Sequence, residues 1–171
     1  MISRKMQDAM NDQVAAEFYS AHLYLSMSAY LESIDLPGFA NWMRIQYQEE
    51  VSHGMKMFDY VIERDGRVLV KAIDAPLSEW KSVVSVFEAV YEHEQKVTGL
   101  INNLVDIALS EKDHASHIFL QWFVNEQVEE ESTAKGIVRQ LTMLGDSKAG
   151  LFQVDRELAQ RVFTPPATTA R

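Results

Sequence analysis

Apolar residues recur at helical spacing through four long stretches of this chain. In the first, Met6, Met10, Val14, Ala21, Leu25 and Leu31 follow the period of 3.6, and in the second Phe39, Met43, Met57 and Val61 share a face. Val83, Phe87, Val90, Val97, Ile101, Leu104 and Ala108 form the third stripe; Leu120, Phe123, Ala134, Ile137, Val138 and Leu141 form the fourth. Leu151, Val154, Leu158 and Val162 mark a shorter fifth helix. The breakers fall between these stretches: Pro37-Gly38, Gly66, Glu111-Lys112-Asp113 and the pair Gly145 and Gly150. They predict helices over residues 4–33, 39–65, 82–110, 114–144 and 148–162. Residues 164–171 read as a frayed tail, and residues 1–171 as a single domain.

Connection lengths select the topology. Tight turns make the first and second helices antiparallel neighbours, and likewise the third and fourth. The middle link, about 16 residues without helical periodicity, can extend about 50 Å, enough to run the length of a bundle. The expected fold is therefore all-α: a four-helix bundle with one long crossover connection and a short fifth C-terminal helix.

Each of the four stripes is interrupted by polar groups. Glu17 lies between Val14 and Ala21, with Tyr24 seven residues on; Glu50 and His53 share the face of Met43 and Met57. Glu94 takes the one remaining slot of the third stripe, and Gln127 and Glu130 sit mid-stripe on the fourth. A carboxylate in a bundle core costs several kcal/mol unless it is paired or binds metal. Counted from the turns, Glu17 is 19 residues from Leu36, and Glu50 and His53 are 14 and 17. Glu94 is 19 residues from Asp113, and Gln127 and Glu130 are 14 and 17. At 1.5 Å per residue the members of each set lie within about 8 Å along the axis. The two helix pairs thus repeat one pattern, a lone Glu facing two polar groups at i, i+3.

That pattern suits two hard or borderline cations, iron or manganese better than copper. Glu50 can bridge them, Glu17 and His53 complete one set, and Glu94 with Glu130 completes the other. Neutral Gln127 can only orient water or a weak ligand, which makes the second position the poorer one. A buried network of protonated carboxylates is the competing reading. Tyr24 is either packing or a hydrogen-bond donor and electron source, and Trp122, off the stripe, reads as packing. Glu49, Glu126 and Glu129 project beside the core, where they can hold or relay a further cation; Glu131 reads as a solvated face. His22, His93, His114 and His117 lack ligand spacing and read as surface or inter-subunit residues.

Composition narrows the partners. Sixteen Lys and Arg against 25 Asp and Glu give a net charge of -9, unfavourable for nucleic acid or an anionic membrane. Zero cysteines exclude thiolate metal sites, disulfides and Cys nucleophiles. No stretch is long and apolar enough for a signal core or a membrane span, so the expected location is the cytoplasm.

The segments Glu17-Phe18-Tyr19-Ser20, Gln48-Glu49-Glu50-Val51-Ser52-His53, Phe58-Asp59-Tyr60 and Phe119 through Glu131 resemble the ligand-bearing motifs of bacterial non-haem ferritins, and the similarity runs from about Met6 to Leu158. The resemblance implies a ferroxidase centre of Glu17, Glu50, His53, Glu94, Gln127 and Glu130 with Tyr24 beside it. It also implies a third iron position at Glu49, Glu126, Glu129 and Glu130. The implied activity is oxidation of Fe(II) by O2 or H2O2, with Fe(III) oxide stored inside a homo-oligomeric shell of 24 subunits. Bacterioferritins are similar but place a second His where this chain has Glu130 and a haem-ligating Met where it has Val51, so no haem is expected. Iron entry is left open, because the region of the acidic channel pair of animal ferritins reads His117 to Leu120 here.

Overall fold

Helix α1 (Arg4–Ser33) starts where the Ser3 hydroxyl accepts the Met6 amide, and α3 (Val83–Ser110) starts at a capping box between Ser82 and Ser85. In α4 (His114–Leu144) the Asp113 carboxylate accepts the Ser116 amide. Helix α2 (Pro37–Glu63) begins with Pro37 in its first turn, where the missing N–H costs nothing, two residues earlier than the periodicity predicts. Asp35, Asp65 and Lys112 end α1, α2 and α3 in left-handed conformation, at φ of 60°, 57° and 56°. These contacts come from a computed structural model, which describes residues 1–165.

Segment 64–82 settles the topology. Asn11 donates to the Arg67 carbonyl and accepts the Leu69 amide, Lys71 pairs with Asp12, Ser26 donates to the Leu77 carbonyl, and Tyr30 donates to that of Trp80. The link therefore follows α1 from its first third to its last turn, and α3 starts beside the C-terminal end of α1. Helices α2 and α3 run parallel to one another, each antiparallel to its hairpin partner. At the far end Arg64, just past α2, donates to both oxygens of Asp113, at 3.1 and 3.2 Å, tying the crossover's start to the α3–α4 turn. Among the described residues no helix is long and apolar enough to cross a membrane.

Helix α5 (Lys148–Leu158) ends four residues earlier than the pattern predicts, and Val162 is exposed. Its Asp155 carboxylate accepts the Gly38 and Phe39 amides at 2.8 and 3.0 Å, capping α2 where Leu36 offers no side-chain cap. Any Cβ on Gly38 would overlap the Asp155 backbone carbonyl. Gly38→Ala is therefore expected to lift α5 from α2 and lower the thermal midpoint, and Asp155→Ala to cost about 1–2 kcal/mol, the scale of a lost helix cap, in urea unfolding.

The apolar stripes do not form one continuous core. One cluster gathers Leu23, Met27, Leu31, Phe39, Met43, Phe87, Val90, Ile137 and Leu141 at the α5 end; another gathers Met6, Met10, Val14, Met57, Val61, Val97, Ile101, Leu104, Leu120 and Phe123 at the opposite end. Between them lies a polar layer. Leu25, assigned to the first stripe by periodicity, is 46% exposed, because the α1 core face turns through Leu23, Tyr24 and Met27 instead.

Candidate metal centre

All four long helices contribute buried polar groups to that layer: Gln13 and Glu17 from α1, Gln46, Glu50 and His53 from α2, Glu94 from α3, Gln127 and Glu130 from α4. Glu17, Glu50 and His53 come together, each offering a ligand atom within 4.8 Å of the others. One oxygen of Glu17 and one of Glu50 are buried with no hydrogen-bond partner, which is costly for acceptors unless a cation or proton serves them. Glu94 is held differently. Tyr24 donates to Glu94 Oε1, and Gln127 Nε2 donates to Oε2 at 3.1 Å. Glu130 Oε2 accepts Gln46 Nε2 at 2.9 Å.

The electrostatics follow from burial of four like charges. Desolvation, then the charges of Glu17 and Glu94, holds Glu50 well above the ordinary carboxyl range, and burial likewise raises Glu17. Burial and the Glu130 charge raise Glu94 to about 8, against the opposing hydrogen bonds of Tyr24 and Gln127. Burial lifts Glu130 to about 7. Burial and nearby Lys56 lower His53 to about 4, so its imidazole is neutral at pH 7 and its 3.8 Å approach to Glu50 is not an ion pair. Tyr24, buried beside Glu94, stays a phenol. At neutral pH the layer thus offers neutral imidazole and oxygen donors that hold protons in place of cations. This is the donor set of a hard or borderline divalent ion, with no sulfur in it.

Glu49, Glu126, Glu129 and Glu130 line a cavity of about 350 Å³ together with His53 and Trp122. Burial raises the carboxyls of both Glu49 and Glu126. Trp122 presents a ring edge to His53 at 5.3 Å between centroids and takes Lys56 over its face at 4.4 Å; it walls the site.

The structure adds partners for several nearby groups. His93 is half-buried between α1 and α3, 2.8 Å from Ser20 Oγ, with its ring perpendicular to that of Tyr24. Glu131 is not simply solvated, since it accepts Thr98 Oγ1 at 2.6 Å, and Thr98 in turn accepts Gln127 Nε2 at 3.3 Å. The tail is not wholly free either. Thr164 and Pro165 line the cavity, while residues 166–171 lie outside those described. His22 and His114 are exposed and His117 is half-buried.

The structure also adds residues that sequence reasoning missed. Gln13 donates to Glu17 at 2.9 Å, and Gln46 donates to Glu130. Each stands four residues before a core carboxylate of its own helix, Glu17 and Glu50, and that i, i+4 spacing was the available signal. Arg161, 2.7 Å from Glu49, left no such signal, because it reaches the site from beyond α5.

Comparison with known proteins agrees with this architecture. Residues 7–144 match the ferritin family, described as a ferritin-like domain. The bacterial non-heme ferritin of Bacteroides fragilis is 50% identical over 161 residues, 94% of this chain and all of the relative. That of Staphylococcus haemolyticus is 40% identical over 163 residues, 95% and 98% of the two chains. Among solved structures, the open-pore ferritin of the hyperthermophilic archaeon Archaeoglobus fulgidus superposes with a TM-score of 0.94 at 54% identity, covering 95% of this chain and 99% of its own. A form of that ferritin engineered to be closed gives 0.95 at 55%, covering 96% and 100%. With the family matched over most of its length and half its residues shared with a bacterial relative, the chain belongs to the ferritin family.

Proposed function

We propose that this protein stores iron and is a ferroxidase, and the observation that carries this reading is the buried Glu17–Glu50–His53 cluster with two partnerless carboxylate oxygens at the centre of a ferritin bundle. Fe(II) is the substrate. Glu50 bridges two ions, Glu17 and His53 complete one set of ligands, and Glu94 and Glu130 complete the other, with Gln127 and Tyr24 orienting Glu94. Each Fe(II) gives up one electron, and the pair reduces O2 to H2O2 or H2O2 to water. The ligands are anionic only after losing the protons that burial favours, so ion entry is coupled to proton release. With neutral Gln127 standing where a charged ligand could, the Glu94–Glu130 half holds its ion less firmly, as suits iron that moves on. Glu49, Glu126, Glu129 and Glu130 form a third position for iron on that route.

The chain acts as one domain in a homo-oligomeric shell, of 24 subunits by family likeness, that encloses Fe(III) oxide in the cytoplasm. Iron retained per chain tests this, after graded Fe(II) is added to metal-free protein in air and the product is passed through a sizing column. Tens or more ions per chain, in a particle many times the 19.5 kDa chain mass, are expected. Saturation at about two or three, the capacity of one bundle's ligands, would instead indicate an oxidase without storage.

A further inference from the structure

Arg161 stands outside the ligand-bearing segments, yet it lines the acidic cavity, with Lys56 nearby over Trp122. Its Nη2 donates to Glu49 Oε2 at 2.7 Å, and its guanidinium lies over the Trp42 ring at 4.7 Å from the centroid. The backbone that carries it is clamped. Asn41 Nδ2 donates to the carbonyls of Leu158 and Arg161 at 3.2 and 3.0 Å, and α5 itself is fixed to α2 through Asp155. A second guanidinium nitrogen, Nη1, is buried without a partner, so Arg161 is held by position and not by a complete set of acceptors. A guanidinium held against an aromatic face by a clamped backbone stays beside Glu49 whether or not the pair is made, so re-forming the pair carries little ordering cost.

We propose that Arg161 is a tethered counter-cation of the cavity, occupying Glu49 in the metal-free state and competing with an incoming iron ion for that carboxylate. The proposal rests on the functional reading above. A permanent ligand set of Glu49, Glu126, Glu129 and Glu130 with nothing opposing it would trap a multivalent cation; Arg161 lowers the affinity of that position and returns to Glu49 when the ion leaves. The partners stand 112 residues apart, so the competing cation comes from the segment after α5 while the carboxylates lie on the bundle helices α2 and α4.

Calorimetric titration of the assembled, metal-free full-length protein with Zn(II), a redox-inert divalent probe, tests this without any turnover. In Arg161→Gln the third ion is expected to bind about tenfold tighter than in the parent, the scale of one charge-assisted hydrogen bond, with the first two ions unchanged. Asn41→Ala, which loosens the clamp and leaves the charge, is expected to shift the third ion in the same direction by less. Adding Glu49→Gln to Arg161→Gln is expected to remove the gain, as competition for one carboxylate requires. A third-ion affinity unchanged or weakened in Arg161→Gln, with the first two events present, overturns the proposal. Loss of the first two events in the parent protein overturns the functional reading instead.

Discussion

Glu50→Ala is expected to slow Fe(II) oxidation by about a hundredfold or more, since loss even of groups that only orient metal ligands costs about 10–100-fold. In the proposed function Glu50 bridges both ions, so its removal is expected to disable both positions together. Assembly is expected to survive, because the apolar clusters on either side of the polar layer do not include Glu50. Stopped-flow absorbance after Fe(II) mixing, beside a sizing profile, reads both quantities. Unchanged kinetics in an intact particle would remove Glu50 from the centre. In metal-free protein a buried acid with a partnerless oxygen is a burden. Glu50→Met, of similar length, is accordingly expected to raise the thermal midpoint while abolishing oxidation. That opposite movement of stability and activity distinguishes a cation site from a structural carboxyl network, in which the same change would lower stability.

The second large effect is in pH. Glu94 and Glu130 are raised by burial to about 8 and about 7, above their ordinary 4.5. The stability they contribute is therefore complete below about pH 4.5 and is lost as pH climbs through 7 and 8, where folding must accommodate charge. Metal-free protein is expected to show a falling thermal midpoint between about pH 5 and pH 8.5. Cation affinity moves the other way. Each ion must displace protons from these carboxyls, so binding at the Glu94–Glu130 half is expected to strengthen about five-hundredfold from pH 6 to pH 8, about fiftyfold from Glu94 and about tenfold from Glu130. His53, lowered to about 4, is neutral throughout and adds no slope. Calorimetry in buffers of different ionisation enthalpy counts the released protons directly. Affinity independent of pH over this range would show the carboxyls to be already ionised, and would sink the account of a layer in which protons stand in for cations.

These predictions concern residues most of which are visible as breaks in a periodic pattern. A helix repeats every 3.6 residues, so a carboxylate in an apolar stripe must face whatever the stripe faces, and Glu17, Glu50, His53, Glu94, Gln127 and Glu130 are all identified that way. Equal distances from two tight turns set their depth. The same local rule misplaced Leu25, because a 30-residue helix drifts around its axis and a single template does not follow the drift. It also missed His93, which packs on a side of α3 away from the core stripe, against α1.

What the sequence by itself determined is therefore most of what near neighbours govern: five helices, their turns, the long crossover and six of the eight polar positions of the core layer, with Tyr24 on the same face. Only the tertiary structure decided which of these groups share partners. It set Glu17 beside Glu50 and His53, gave Glu94 to Tyr24 and Gln127, gave Glu130 to Gln46, and laid Arg161 across 112 residues onto Glu49. The reason is physical: helical periodicity fixes which face a side chain occupies over a few residues of chain, whereas an approach between distant segments depends on how whole helices pack and where the chain beyond them is clamped, and no local spacing encodes that.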